Sequence, residues 1–373
     1  MSARPGDATG GTRPGPTPPG RRRYLDWLRG VAVLIMIEGH TIDSWTRESD
    51  RPSAVFQYAM LLGGMGAPLF LFLAGVAVAL AATARGRRWG DRARGAASVQ
   101  RRGWQVFGFA FLFRLQSFVL SPGTSLVSLL KVDILNVMGP GIVAAAALWR
   151  LGRTPLGAFT VLAGATVAIA MVTPVVRASS LVAGLPDPLE WYLRPSPGHT
   201  NFTLLPWSGF VLAGAAAGVV IERAIGAAER PIILLTGAAG VLLCLGGYAA
   251  SFLPTIYAQS SFWTSSPTFF FIRTGLLLLS IPAAWVWSGR SRAERALRPL
   301  ELLGIHSLFV YWIHVEMIYG LLTAPLHRQL PVAGAVAGFA GFTLLMLGAV
   351  LVKRRLTRRW AGVVNTPSTA TYG

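Results

Sequence analysis

Tyr24-Leu25-Asp26-Trp27-Leu28-Arg29-Gly30-Val31-Ala32-Val33-Leu34-Ile35-Met36-Ile37-Glu38-Gly39-His40 is the first apolar stretch of the chain, and it carries Asp26, Arg29, Glu38 and His40 inside what otherwise reads as a membrane span. An ionisable group at membrane depth costs about 2.5 to 3.5 kcal/mol on insertion scales, so such groups face a bundle interior or an aqueous cavity and mark a working site. Arg29 and His40 are eleven positions apart. At about 100° per residue that is three turns plus roughly 20°, which puts both on one helix face.

Composition agrees with a bilayer setting. The chain has 373 residues, 53% of them hydrophobic and only 13% charged, more apolar surface than a water-soluble domain of that length would carry. A single cysteine, Cys244, lies in an apolar run, which excludes an internal disulfide framework and leaves packing as its expected role. The first apolar segment is as long as a span and lacks a small-residue cleavage site, so it reads as retained rather than as a signal peptide.

The net charge of +19 invites a nucleic-acid reading, but the basic residues fall between apolar stretches. They cluster at Arg21 to Arg23, from Arg85 to Arg102, from Arg290 to Arg298, and from Lys353 to Arg359, while the alternate loops carry few. Placing the basic loops in the cytoplasm satisfies the positive-inside rule. The expected fold is therefore all-α, a polytopic membrane helix bundle of about ten transmembrane helices with both termini cytoplasmic. The spans are expected at Tyr24 to Thr41, Val55 to Ala84, Gly103 to Leu120, Val132 to Trp149, Pro155 to Val176, Phe202 to Ile221, Pro231 to Leu253, Thr268 to Trp287, Leu300 to Leu322 and Pro331 to Val352. The second is too long for one straight crossing, and Gly63-Gly64-Met65-Gly66-Ala67-Pro68 is the expected break, lining a cavity or letting helices pack closely. Residues 1–20, rich in Pro, Gly and Thr, read as a disordered cytoplasmic lead, residues 21–360 as the membrane domain, and 361–373 as a disordered tail.

Depth follows from this topology. The first span puts Asp26 and Arg29 in the inner half and His40 near the outer end; the ninth, running the same way, brings His314 and Glu316 to a similar depth. Arg114, Arg273, and Asp133 with Asn136 fall in that same layer. Structural roles fit some of these residues too. Asp26 and Arg29 can pair with each other, Arg114, Asp133 and Arg273 can form ion pairs inside the bundle, and His314 can be an interhelical hydrogen-bond partner. His199 and His327 fall in outer loops and read as solvated. No nucleophile elbow, phosphate-binding loop or zinc helix is present.

Arginine, ten residues and histidine, as in Arg29 to His40, resembles the first-span signature of the acyltransferase family 3 membrane enzymes. Leu25-Asp26-Trp27-Leu28-Arg29-Gly30-Val31-Ala32, Ala67-Pro68-Leu69-Phe70-Leu71-Phe72-Leu73-Ala74-Gly75 and Val132-Asp133-Ile134-Leu135-Asn136 are more similar still to the catalytic domain of the heparan-alpha-glucosaminide N-acetyltransferase family and its bacterial relatives. Leu205-Pro206-Trp207-Ser208-Gly209-Phe210 and the run from Leu303 to His314 agree. Where the acyltransferase family 3 enzymes carry Arg-Asn before the serine of the ninth span, this chain has Ile305-His306.

The resemblance implies acyl transfer from cytoplasmic acetyl-CoA, or another acyl-CoA, to a sugar amine or hydroxyl of a glycan or glycolipid across a multi-pass cell (inner or plasma) membrane. It implies catalysis at His40 with His314 and Glu316, as base or acyl carrier with an orienting partner, and acyl-CoA binding at Asp26, Arg29, Arg114, Asp133 and Arg273. It calls for no metal and no nucleic acid, and a homodimer is compatible with it. A transporter or flippase without acyl-transfer chemistry is the alternative that broken helices and buried charges also suit.

Overall fold

In the computed structural model, residues 22–121, 123–289 and 293–364 are described. They form fourteen α-helices and, among the described residues, no β-strand. These are α1 (Arg23–Trp45), α2 (Ala54–Gly63), α3 (Gly66–Trp89), α4 (Arg92–Leu120), α5 (Ile134–Leu151), α6 (Pro155–Ala178), α7 (Ser180–Ala183), α8 (Asp187–Leu193), α9 (Leu204–Glu222), α10 (Glu229–Ala250), α11 (Pro267–Ser288), α12 (Ala293–Ile305), α13 (Ser307–Tyr319) and α14 (Val332–Val364).

Eight helical segments are long and apolar enough to cross a membrane, with α2 and α3 counted together, and the bent pair α12–α13 makes a ninth. The protein is a polytopic helical membrane protein. α1 stands outside that set although its 23 residues extend about 34 Å. Its ionisable residues, not its length, dilute its apolar character. Each expected span is helical over most of its length. The expected lead, together with Arg21, Arg290 and Arg292 of the basic clusters, lies outside the described residues, as does the tail beyond Val364.

The second span breaks where the glycines stand, α2 ending at Gly63 and α3 starting at Gly66. Both expected uses of the break are realised. A Cβ on Gly63 would lie 2.9 Å from the Cα of Gly39, so the α1 and α2 backbones touch there, and Gly63, Gly64 and Gly66 also line a cavity. The ninth span corrects the expectation of one helix from Leu300 to Leu322. It is broken at His306 by a bend of 83°, and its second half stops at Tyr319. The cause is tertiary. A Cβ on Gly304 would sit 2.2 Å from the Asp26 carbonyl oxygen and one on Gly30 2.1 Å from the Leu300 carbonyl oxygen, so α12 lies against the α1 backbone, antiparallel to its first turns.

The centre of the bundle is the α3–α9 crossing, where Phe72, Val211 and Leu212 are fully buried or nearly so. Polar caps fix the helix ends around it. Arg22 donates to the carbonyls of Ile221, Glu222 and Ala224 at the close of α9, supplying a cation to orphan carbonyls at a helix C-terminus. At the other end of α9, Arg177 donates to Thr203 Oγ1 and to the Leu205 carbonyl beside the cis Leu205–Pro206 peptide.

Candidate functional site

Three turns of α1 beyond Arg29, His40 meets a residue from far along the chain: its Nδ1 lies 2.9 Å from His314 Nε2. The two rings are within 6° of parallel with centroids 5.1 Å apart. That separation is close to the N···N distance plus one ring radius at each end, so the imidazoles are edge to edge in one plane rather than face to face, the arrangement an N–H···N hydrogen bond requires.

A chain of hydrogen bonds fixes the tautomers. His314 Nδ1 is 2.8 Å from the Val310 carbonyl, which can only accept, so Nδ1 carries the proton and Nε2 of the neutral ring is an acceptor. His40 Nδ1–H must then donate to it. Nε2 of His40 is left with its lone pair free, and His40 lines a cavity of about 600 Å³. Tyr319 stands edge-on to His40 at 5.5 Å and Tyr311 edge-on to His314 at 5.9 Å, both lining the same cavity. Glu38, about 200° around α1 from His40, is buried with its carboxyl near Gly63 and is not among the residues lining the cavity.

Other expected residues separate into those the fold brings to this cavity and those it does not. Arg114 and Asp133 both line it and form an ion pair at 2.8 Å, with side chains 14% and 5% exposed. Asp133 is at the same time the N-cap of α5, accepting from the Leu135 N–H while Asn136 accepts from the Asp133 N–H, a capping box. Glu316 and Ser117 both line the cavity, and Glu316 Oε1 is buried with no hydrogen-bond partner among the described residues. The side-chain hydrogen bond of His40 is to His314; among the described residues none joins His40 to Glu316. Arg273 is off the cavity lining, stacked on Phe269 at 4.2 Å behind the Gly63–Gly64 break. His199 stacks on Trp191 and His327 bonds to the Ile318 carbonyl; neither lines the cavity that His40 lines.

At the opposite end of α1, Asp26 and Arg29 lie 4.0 Å apart, and both line a cavity of about 1240 Å³ that also takes in Arg22, Arg23 and Arg87, Glu222 and Glu229. Between the two lies a smaller one of about 270 Å³. It shares Arg29, Leu73, Ala77 and Ala81 with the arginine-rich cavity and Met36, Phe70, Ile134 and Tyr311 with the histidine cavity. The three therefore form one series along the Arg29–His40 face of α1, a length of about 16 Å. Arg85 and Arg102 also line the middle cavity, and neither has a carboxylate partner among the described residues. Sequence reading assigned them to topology alone. Tyr311 and Tyr319 were missed as cavity residues; their signal is positional, three before and five after His314 on α13.

Fold and cavity define the class: a polytopic helical membrane protein with a hydrogen-bonded imidazole pair at one end of a cavity series and arginines at the other. The family model "Heparan-alpha-glucosaminide N-acetyltransferase, catalytic" matches residues 21–253, and the chain belongs to that family of membrane acetyltransferases. The match includes α1 with Arg29 and His40 and ends before α11, so His314 and Glu316 lie beyond it. No curated protein shows a significant match.

Proposed function

We propose that the protein transfers an acetyl group from acetyl-CoA, held at the arginine-rich end, to a sugar amine or hydroxyl at the histidine end. The observation that carries this reading is the free Nε2 of His40, fixed by the coplanar His314, on a residue lining a cavity that shares walls with the middle one, which Arg29 lines. Positive-inside placement makes the arginine-rich end cytoplasmic and the histidine end extracytoplasmic, in a cell (inner or plasma) membrane. The CoA phosphates sit against Arg29, shared by the arginine-rich and middle cavities, with Arg85 and Arg102 on the middle cavity's wall within the same cationic patch, guanidiniums that suit phosphate oxygens. The pantetheine arm occupies the apolar middle cavity.

In the chemical step the acceptor O–H or N–H gives its proton to His40 Nε2 as the acceptor atom bonds to the thioester carbonyl carbon. The tetrahedral intermediate collapses with cleavage of the C–S bond, and the proton on Nε2 passes to the departing CoA sulfur. His314 accepts from His40 Nδ1–H throughout and holds the ring's orientation. Arg114, already neutralised by Asp133, shapes the cavity wall. Purified protein in nanodiscs, given acetyl-labelled acetyl-CoA and an amino-sugar acceptor, is expected to release CoA and label the acceptor; absence of both would overturn the reading and favour transport.

Arg29→Ala is expected to raise the Kd for acetyl-CoA by about tenfold, the loss of one charge-assisted phosphate contact, with little effect on folding because its pairing with Asp26 is long and its side chain is 40% exposed. Calorimetric titration checks this, and an unchanged Kd would leave Arg29 a helix anchor.

A further inference from the structure

The wall of the histidine cavity between α4 and α13 is built differently from the rest. The two helices come together without the close backbone approach that α4 makes with α5 or α13 with α1. Side chains alone close the seam. Trp312 donates its indole N–H to Gln116 Oε1 at 2.5 Å and packs against Phe109 and Phe113, with ring centroids 6.3 and 5.4 Å apart. Ser117, next to Gln116 on α4, and Glu316, one turn beyond Trp312 on α13, line the cavity, and the buried Glu316 Oε1 has no hydrogen-bond partner among the described residues.

The seam opens toward the bilayer. On the same half of α4, Leu112, Leu115 and Val119 are exposed, Val119 by 67%. Exposed leucine and valine on a membrane helix face acyl chains. Gln116, among them, would be costly there without Trp312 as its partner. Polar groups one step inside an apolar, hydrogen-bonded plug suit an amphiphile whose chain stays in lipid and whose head turns inward.

Resting on the acyl-transfer reading, we infer that the acceptor is lipid-linked and enters from the bilayer between α4 and α13, with Trp312 as the gate and its polar head received at Ser117 and Glu316. The carrier stays in the membrane while the acceptor hydroxyl or amine reaches His40.

Two measurements test this. In nanodiscs, the dodecyl glycoside of glucosamine is expected to exceed the methyl glycoside in kcat/KM by about tenfold or more, and Trp312→Ala is expected to change kcat/KM for the dodecyl compound while leaving the methyl compound unchanged. Equal use of the two glycosides, or a Trp312→Ala effect common to both, overturns the portal. Acetylation of neither overturns the acyl-transfer reading instead, and the portal then rests on the second measurement. In a Cys244→Ala background, Ser117→Cys is expected to react with a bilayer-dissolved maleimide severalfold faster once Trp312→Ala is added. A rate unaffected by Trp312→Ala, or reaction with a charged aqueous maleimide alone, overturns it independently of activity.

Discussion

His40→Ala is expected to lower acetyl turnover by about 10²- to 10⁴-fold, the usual contribution of a positioned general base, while membrane insertion and size-exclusion behaviour stay those of the parent. His40 is partly buried and makes one side-chain hydrogen bond, to His314, so removing the imidazole leaves one acceptor unpartnered but no charge stranded. The His314 series separates orientation from chemistry. His314→Phe keeps the ring but removes the acceptor for His40 Nδ1–H, letting His40 flip or change tautomer; His314→Gln restores an acceptor oxygen. If His314 is a positioning residue, kcat should fall in His314→Phe with KM for acetyl-CoA unchanged, and His314→Gln should recover part of it. Wild-type turnover in His40→Ala would sink the assignment of the base.

Much of this arrangement is legible in the sequence because it depends on helix periodicity and depth. Arg29 and His40 share a face by their spacing, and the cavity series follows that face. Depth, however, is one coordinate of three. Arg114, Asp133, Arg273, His314 and Glu316 were all placed in one layer, yet Arg273 stands behind the α2–α3 break and His314 is buried against His40, while Arg114, Asp133 and Glu316 line the cavity. Azimuth around the bundle is set by which helices become neighbours, and α11 meets α1 and α10 on its own side. The same limit left open which of Arg114 and Arg273 pairs with Asp133; it is Arg114 of α4, bonded to the N-cap residue of α5.

The break at His306 was illegible for another reason. Gly304-Ile305-His306-Ser307 contains no proline and only one glycine, so local propensity does not end a helix there. The contact that imposes the bend joins Gly304 to Asp26 and Gly30 to Leu300 across most of the chain. By contrast, Gly63 to Pro68 announced its break locally, because closely spaced glycines and a proline weaken helix continuity by themselves.

The largest effect on the fold is expected from a single methyl group at Gly214. A Cβ there would lie 1.9 Å from the Phe72 carbonyl oxygen and 2.7 Å from its carbon, and the reciprocal position, Gly75, would place one 1.9 Å from the Val211 carbonyl oxygen. Backbone obstructs in each case, so no rotamer change relieves the clash and α3 must move off α9. In a bilayer, close van der Waals packing is the main force joining helices, since lipid offers apolar surface of its own. Gly214→Ala should therefore cost more than about 4 kcal/mol, beyond ordinary overpacking, and abolish the monodisperse peak in detergent or sharply lower the unfolding temperature. Gly164→Ala is the control: no atom stands within 4 Å of a Cβ at that position in α6, and the gain in helix propensity is about 1 kcal/mol. If Gly214→Ala behaved like Gly164→Ala, the α3–α9 crossing would not be the close contact that fixes α3. The wall of the cavity series that α3 supplies, through Phe70, Leu73 and Ala77, would then need another support.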